Sequence, residues 1–113
     1  MHEMALATSV LQIVESTARQ HGSGRVSAVC LEIGRLSHVE PEALRFSFDV
    51  VTRDSIADGA RLEILTTDGT AWCMRCSDSV GLQRLGDPCP CCGSYQLQVT
   101  GGDEMRVKDI EIQ

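Results

Sequence analysis

The sequence predicts an α+β protein: two helices packed on a three-stranded sheet, with an inserted zinc-ribbon-like module of four cysteines. Three observations predict it. Cysteines fall as two C-x-x-C pairs, Cys73 with Cys76 and Cys89 with Cys92, in a stretch poor in large apolar residues. Two segments ahead of them place apolar residues at helical spacing. Other segments alternate apolar and polar residues with period two. With 113 residues, 42% of them hydrophobic, the chain can build one modest core plus a metal-held appendage. The expected division is residues 1–67 with 97–113 as an α/β domain and 68–96 as the cysteine module.

In residues 3–20, Leu6, Val10, Ile13 and Val14 recur at helical spacing, and Thr17 continues that face. Gly22 and Gly24 end the helix, because glycine takes the left-handed C-terminal turn without strain. His21 reads as a cation at the negative helix end. Residues 25–33 are rich in β-branched side chains, with Val29, Leu31 and Ile33 on one face and Ala28, Cys30 and Glu32 on the other. Cys30 reads as a small buried hydrophobe rather than a nucleophile. Residues 35–39 form a loop. Pro41 suits the first position of a second helix, with Glu40 and Glu42 favoured near its positive end. Its buried face is Leu44, Phe48 and Val51, broadened by Phe46 and Val50. Asp58 and Gly59 turn the chain, and Ala60, Leu62 and Ile64 alternate as a strand. Beyond the module, residues 96–100 read as a short strand and 104–112 as the last one. Met105 and Val107 alternate there, but Ile110 and Ile112 are one residue out of phase, which predicts a bulge near Lys108 or Asp109.

The cysteine spacing has a chemical reason. Two intervening residues let a tight turn bring both sulfurs to one side, with backbone N–H groups pointing at the thiolates. Gly93 frees the chain for the turn that follows. Four thiolates form the tetrahedral set of a closed structural Zn(II) site, which has no open position for substrate. Cys91 is the spare, since using it in place of Cys89 or Cys92 breaks the two-residue gap. Arg75 and Arg84 are available to offset the negative charge. Two other readings compete, disulfides and a rubredoxin-like iron site that would make the chain an electron carrier. No signal peptide and no transmembrane run are visible, so the expected compartment is the reducing cytoplasm and no membrane is involved.

A zinc ribbon often suggests nucleic acid. Here the net charge is −6 and aromatic residues are 4% of the chain, which leaves neither a basic stripe nor a stacking platform. No nucleic acid is therefore expected. No Ser/His/Asp set, P-loop or G-x-G-x-x-G is present, so the chain is not expected to be an enzyme.

The start of the chain offers a second metal site. The α-amine of Met1, the backbone nitrogen of His2 and the His2 imidazole can bind one ion through adjacent five- and six-membered rings. Deprotonated amide nitrogens impose a square-planar field, which selects Ni(II) or Cu(II) over Zn(II). Glu3 supplies a carboxylate or one more amide nitrogen. The plain alternative is an exposed, idle histidine. His38 and Glu40, two residues apart in a loop, could also face a metal, against the plainer reading of a solvated loop histidine.

Four stretches together resemble one family. They are M-H-E at the start, L-E-I-G-R-L-S before V-E-P-E-A-L-R-F-S-F-D, the C-x-x-C with C-P-x-C-G-S, and G-G-D-E-M-R-V-K-D-I-E-I near the end. In this order, over nearly the whole chain, they resemble the HypA/HybF proteins, nickel metallochaperones of nickel–iron hydrogenase maturation. The resemblance implies nickel ligands at Met1, His2 and Glu3, an acid at Glu40 near that site, and structural zinc on Cys73, Cys76, Cys89 and Cys92. It also implies work with a HypB-type GTPase and delivery to the hydrogenase large subunit, and a homodimer is one assembly compatible with it. Cys91 departs from the family pattern. The runner-up is a zinc-ribbon binding module, for nucleic acid or protein, without a nickel role.

Overall fold

The computed structural model describes residues 2–22 and 24–113. Its elements are α1 (His2–Gln20), β1 (Val26–Gly34), α2 (Pro41–Val51), β2 (Arg61–Thr67), β3 (Gly69–Cys73), β4 (Asp78–Leu82), β5 (Leu97–Gly101) and β6 (Met105–Ile112). The strands form two three-stranded sheets, ordered β2-β1-β6 and β4-β3-β5. The α+β class holds. The chain divides into two compact units, residues 1–31, 39–65 and 107–113 in one and residues 32–38 and 66–106 in the other. The second unit is longer than the 68–96 expected for the cysteine module. The strand foreseen at 96–100 explains this, because as β5 it pairs with β3, from Thr70 opposite Gly101 to Cys73 opposite Leu97.

In the first unit, α1 buries Ala7, Val10, Val14 and Ala18. Two alanines on that stripe leave room for a neighbouring backbone, and α1 packs against α2. Ile13, expected inside, is 46% exposed. Helix α2 starts as its sequence demands: Pro41 occupies the first turn, and the Glu40 carboxylate accepts from the Glu42 N–H at 3.3 Å. It buries Leu44, Ser47 and Phe48. Phe46 does not broaden that face and is 66% exposed. At about 100° per residue it stands roughly half a turn from both Leu44 and Phe48. The Thr52 hydroxyl closes the helix by donating to the Phe48 carbonyl at 2.7 Å. Arg45 ties α2 to β2 through a 2.6 Å bond to the Leu62 carbonyl.

Strands β1 and β6 share the phase break expected of β6 alone. In β6, Met105 and Val107 and then Ile110 and Ile112 are sheltered, with Lys108 and Asp109 both exposed. In β1 the run from Ala28 to Leu31 is buried without alternation. Gln113 donates to the Arg25 carbonyl at 2.8 Å, and Gly34 donates to the Glu104 carbonyl at 2.8 Å. Nine residues therefore separate the two contacts on each strand. Neither strand holds a residue the other lacks, so a bulge in β6 alone does not account for the break.

The second unit is threaded through three glycines. Leu36 donates to the Gly102 carbonyl at 2.7 Å and Arg35 to the Thr67 carbonyl at 2.9 Å. A Cβ on Gly34 would overlap the Gly102 carbonyl oxygen, one on Gly102 the Asp68 carbonyl oxygen, and one on Gly69 the Leu82 carbonyl oxygen. Gly102 also has a φ of +81°, which favours glycine. Below this crossing lies a small core of Leu36, Ala71, Cys73, Val80, Leu82 and Cys89. Gly34→Ala and Gly102→Ala should each destabilise the protein by about 1–3 kcal/mol, measured by denaturant unfolding of the metal-loaded chain. Gly81→Ala, whose Cβ would meet open space, should be close to neutral. Equal losses at all three positions would show that the crossing is not under steric constraint.

Candidate metal centre

The ribbon builds its metal site from strand alternation and two turns. Alternation on β3 turns Ala71 and Cys73 inward and leaves Thr70 and Trp72 exposed. The chain then reverses through Ser77, whose N–H donates to the Cys73 carbonyl at 2.8 Å and whose φ is +53°. This turn carries Cys76 back beside Cys73. The second turn repeats the arrangement: Gly93, at φ +77°, donates to the Cys89 carbonyl at 2.9 Å, and Cys89 donates to the Ser94 carbonyl at 2.8 Å. Backbone N–H groups aim at sulfur in both turns, Cys76 N–H at Cys73 Sγ (3.3 Å) and Cys91 N–H at Cys89 Sγ (3.4 Å).

The sulfurs of Cys73, Cys76, Cys89 and Cys92 all lie within 4.8 Å of one another. Cys73 Sγ is 3.7 Å from Cys92 Sγ, and Cys76 Sγ is 3.8 Å from Cys89 Sγ. A tetrahedral ion with Zn–S bonds of about 2.3 Å needs sulfur–sulfur edges of about 3.8 Å. The donor set therefore fits Zn(II) in size, number and chemistry. Cys91 is exposed and is not one of the four. No cysteine of the chain is in a disulfide.

The thiols are unequal before any metal arrives. Cys89 is drawn down from 9.0 to about 6, chiefly by the Cys92 backbone N–H, with the Cys91 N–H adding to it against the opposing effect of burial. Cys76 is pushed far upward by hydrogen bonds to Cys92 and Cys73 and by loss of water. One sulfur is thus ready as a thiolate, while another holds its proton until a metal displaces it.

The four cysteines singled out by spacing are the four whose sulfurs gather. Sequence reasoning did not foresee β3 and β4, or Leu36 beneath the site, because the strands are short and Leu36 lies in what reads as a loop. Their signal is the alternation of Ala71 with Cys73 and of Val80 with Leu82.

Among the described residues, no other group of histidines, cysteines and carboxylates gathers at metal-binding distance. Met1 lies outside the described residues. His2 is the first residue of α1 and is exposed. The Glu3 carboxylate accepts from the Glu40 N–H at 3.2 Å, 37 residues away in sequence. That bond is the main reason its acidity is raised, its pKa lying below the ordinary carboxylate value. Glu40 itself caps α2. His38 is exposed, on left-handed backbone with φ +63°.

Two outcomes test the ribbon site. Cys92→Ser should lose the metal and the order of the 66–106 unit, while Cys91→Ser keeps both, read by metal analysis and circular dichroism. Loss of metal from the Cys91 variant alone would reassign the ligand. Acid should also release the ion in a defined window. Cys89 binds its proton more weakly folded than unfolded, so its contribution is complete above about pH 9 and lost as pH falls through about 6. Bound metal depresses that titration further, so release into a chelator should begin below about pH 6. Half-release at pH 7 or above would contradict the thiolate assignment.

A family model described as "Hydrogenase/urease nickel incorporation, metallochaperone, hypA" matches residues 1–112. The chain is similar to "Hydrogenase maturation factor HypA" of Albidiferax ferrireducens, 59% identical over 113 residues and covering 100% of both chains. It is also similar to the protein of that name in Dechloromonas aromatica, 58% identical over 113 residues, again 100% of both. Among solved structures it is similar to the "Ni metallochaperone HypA from Helicobacter pylori", with a TM-score of 0.71 and 23% identity over 97% of this chain and 96% of that one. A second, "Solution structure of HypA protein", gives a TM-score of 0.73 and 24% identity over 100% and 97%. At such identity the structures speak for the fold alone. With the family model spanning almost every residue and relatives near 60% identity, the chain belongs to the HypA family of nickel-incorporation metallochaperones.

Proposed function

We propose that this chain carries Ni(II) at its N-terminus and delivers it during maturation of a nickel–iron hydrogenase, with Zn(II) as a structural ion in the ribbon. The observation that carries the reading is the placement of His2 and Glu3. His2 opens α1 and is exposed, so its imidazole is not committed to packing. The first N–H groups of a helix have no acceptor within the helix. These first amides therefore give up no bond of the helix ladder when nickel displaces their protons, although the Glu3 N–H gives up a contact with its own carboxylate. The positive end of the helix favours the negative charge those nitrogens acquire. Glu3 enters through its amide nitrogen, which lets its carboxylate keep the bond to the Glu40 N–H.

Delivery follows from the kind of site. Nitrogen ligands at a chain start form an open, shallow plane, so an incoming ligand set can displace them one at a time. The closed sulfur tetrahedron offers no such approach and keeps its ion. The proposed partners are a HypB-type GTPase and the hydrogenase large subunit, and the proposed compartment is the cytoplasm. No helix among the described residues is long and apolar enough to cross a membrane.

Nickel titration of protein with an authentic N-terminus tests this. His2→Ala should abolish nickel binding and leave zinc at about one ion per chain. Adding one glycine before Met1, or acetylating the amine, should erase the square-planar Ni(II) absorption and leave zinc and helix signal unchanged. Native-like nickel binding by the extended protein would refute the terminal chelate and turn attention to His38 and Glu40. Equal loss of both metals in His2→Ala would refute two separate sites.

A further inference from the structure

The second unit has a pocket of about 270 Å³ lined by Arg35, Leu36, His38, Arg84 and Leu85. Its lining holds two guanidiniums and an imidazole and no carboxylate. That is unusual here, because residues 32–38 and 66–106 carry six carboxylates against four arginines. The other cations of the unit differ in position: Arg106 is paired with Glu32, and Arg75 does not line the pocket. Arg35 touches Asp68 at 3.7 Å, where the aspartate side chain is 88% exposed, a contact worth little in water. Arg84 has no ion-pair partner among the described residues.

The pocket is built rather than fluid. Leu36 is 3% exposed and belongs to the ribbon core. Backbone bonds from Arg35 to Thr67, from Leu36 to Gly102 and from Ser37 to Gly34 fix one wall. They carry the chain into the left-handed turn at His38. Opposite, Leu85 leaves 44% of its surface exposed, and the turn it occupies is closed by the Asp87 N–H on the Arg84 carbonyl at 3.3 Å.

We propose that this pocket docks an acidic peptide segment of a partner protein, with one apolar side chain on Leu85 and flanking carboxylates on Arg84 and Arg35. Guanidiniums bind carboxylates in a bidentate fork, and an apolar contact at the centre of a polar rim is the usual anchor of a small interface. The surroundings choose the occupant. A nucleic acid strand would run from this patch onto the carboxylates around it, and a free phosphate has no use for Leu85. A short peptide needs only the pocket and its two arginines, with Asp68 the one carboxylate among the described residues in contact with either. The inference is independent of nickel binding, so either can fail alone.

Fluorescence anisotropy of a labelled DDLEE peptide against the full-length, zinc-loaded chain at low salt tests it. The uncharged twin NNLQQ and the polar-centred DDSEE should each bind about tenfold or more weakly, comparisons that need no variant. Arg84→Gln and Leu85→Ser should each weaken DDLEE binding at unchanged zinc content, whereas Arg53→Gln in the other unit should not. Equal binding of DDLEE and NNLQQ would overturn the proposal. Displacement of DDLEE by equimolar inorganic phosphate, or tighter binding of a single-stranded DNA 12-mer, would overturn it as well.

Discussion

A four-sulfur ion site tolerates little variation in length, and that requirement organises the ribbon. Sulfurs contributed by residues 19 positions apart, Cys73 and Cys92, must stand 3.7 Å from each other. No flexible loop would hold them there. The chain meets the demand with two similar turns, each closing on a carbonyl and each using a residue with positive φ, Ser77 in one and Gly93 in the other. The strands follow from the turns. Once Cys73 points inward, alternation sends Trp72 out and Ala71 in, and the register against β4 places Val80 opposite Ala71. The apolar core below is small, and two of its six buried members, Cys73 and Cys89, belong to the four-sulfur cluster. Metal and core are thus one structure, and removing the ion would leave a thiolate and a trapped proton among apolar side chains.

The ribbon and the start of α1 present their polar groups in opposite ways. The ribbon surrounds its ligands, satisfies sulfur with backbone N–H groups and leaves no coordination position open. Helix α1 instead opens with an exposed His2, and the Glu3 carboxylate next to it takes the N–H groups of Glu40 and of Glu3 itself. Glu3 links the first turn of α1 to α2 through the Glu40 N–H.

Much of this was legible because it is local. Cysteine spacing, the proline at the start of α2, and the periods of α1 and β2 each depend on a few neighbouring residues. What stayed hidden depends on distant partners. Phe46 carries an apolar side chain, yet the turn of the helix sets it away from the Leu44–Phe48 row. Ile13 fares similarly, because small Ala7 and Ala18 define the stripe that packs. The phase break in β6 was visible, but the unalternating buried run of β1 beside it was not. β5 was grouped with the α/β domain, and only β3, itself unforeseen, supplies its partner. The Glu3–Glu40 contact joins segments that share no pattern at all.

The glycine crossing has a consequence for how such a protein can change. Because Gly102 rests against the carbonyl of Asp68, the chain leaves the ribbon beside the point where it enters. Joining those two points directly would need only a short connection, and the entropy of closing a loop grows slowly with its length. The ribbon can therefore be lengthened, shortened or exchanged for another metal-binding loop while the order β2-β1-β6 stays as it is. In that sense it is a detachable cassette, entered and left where Asp68 meets Gly102.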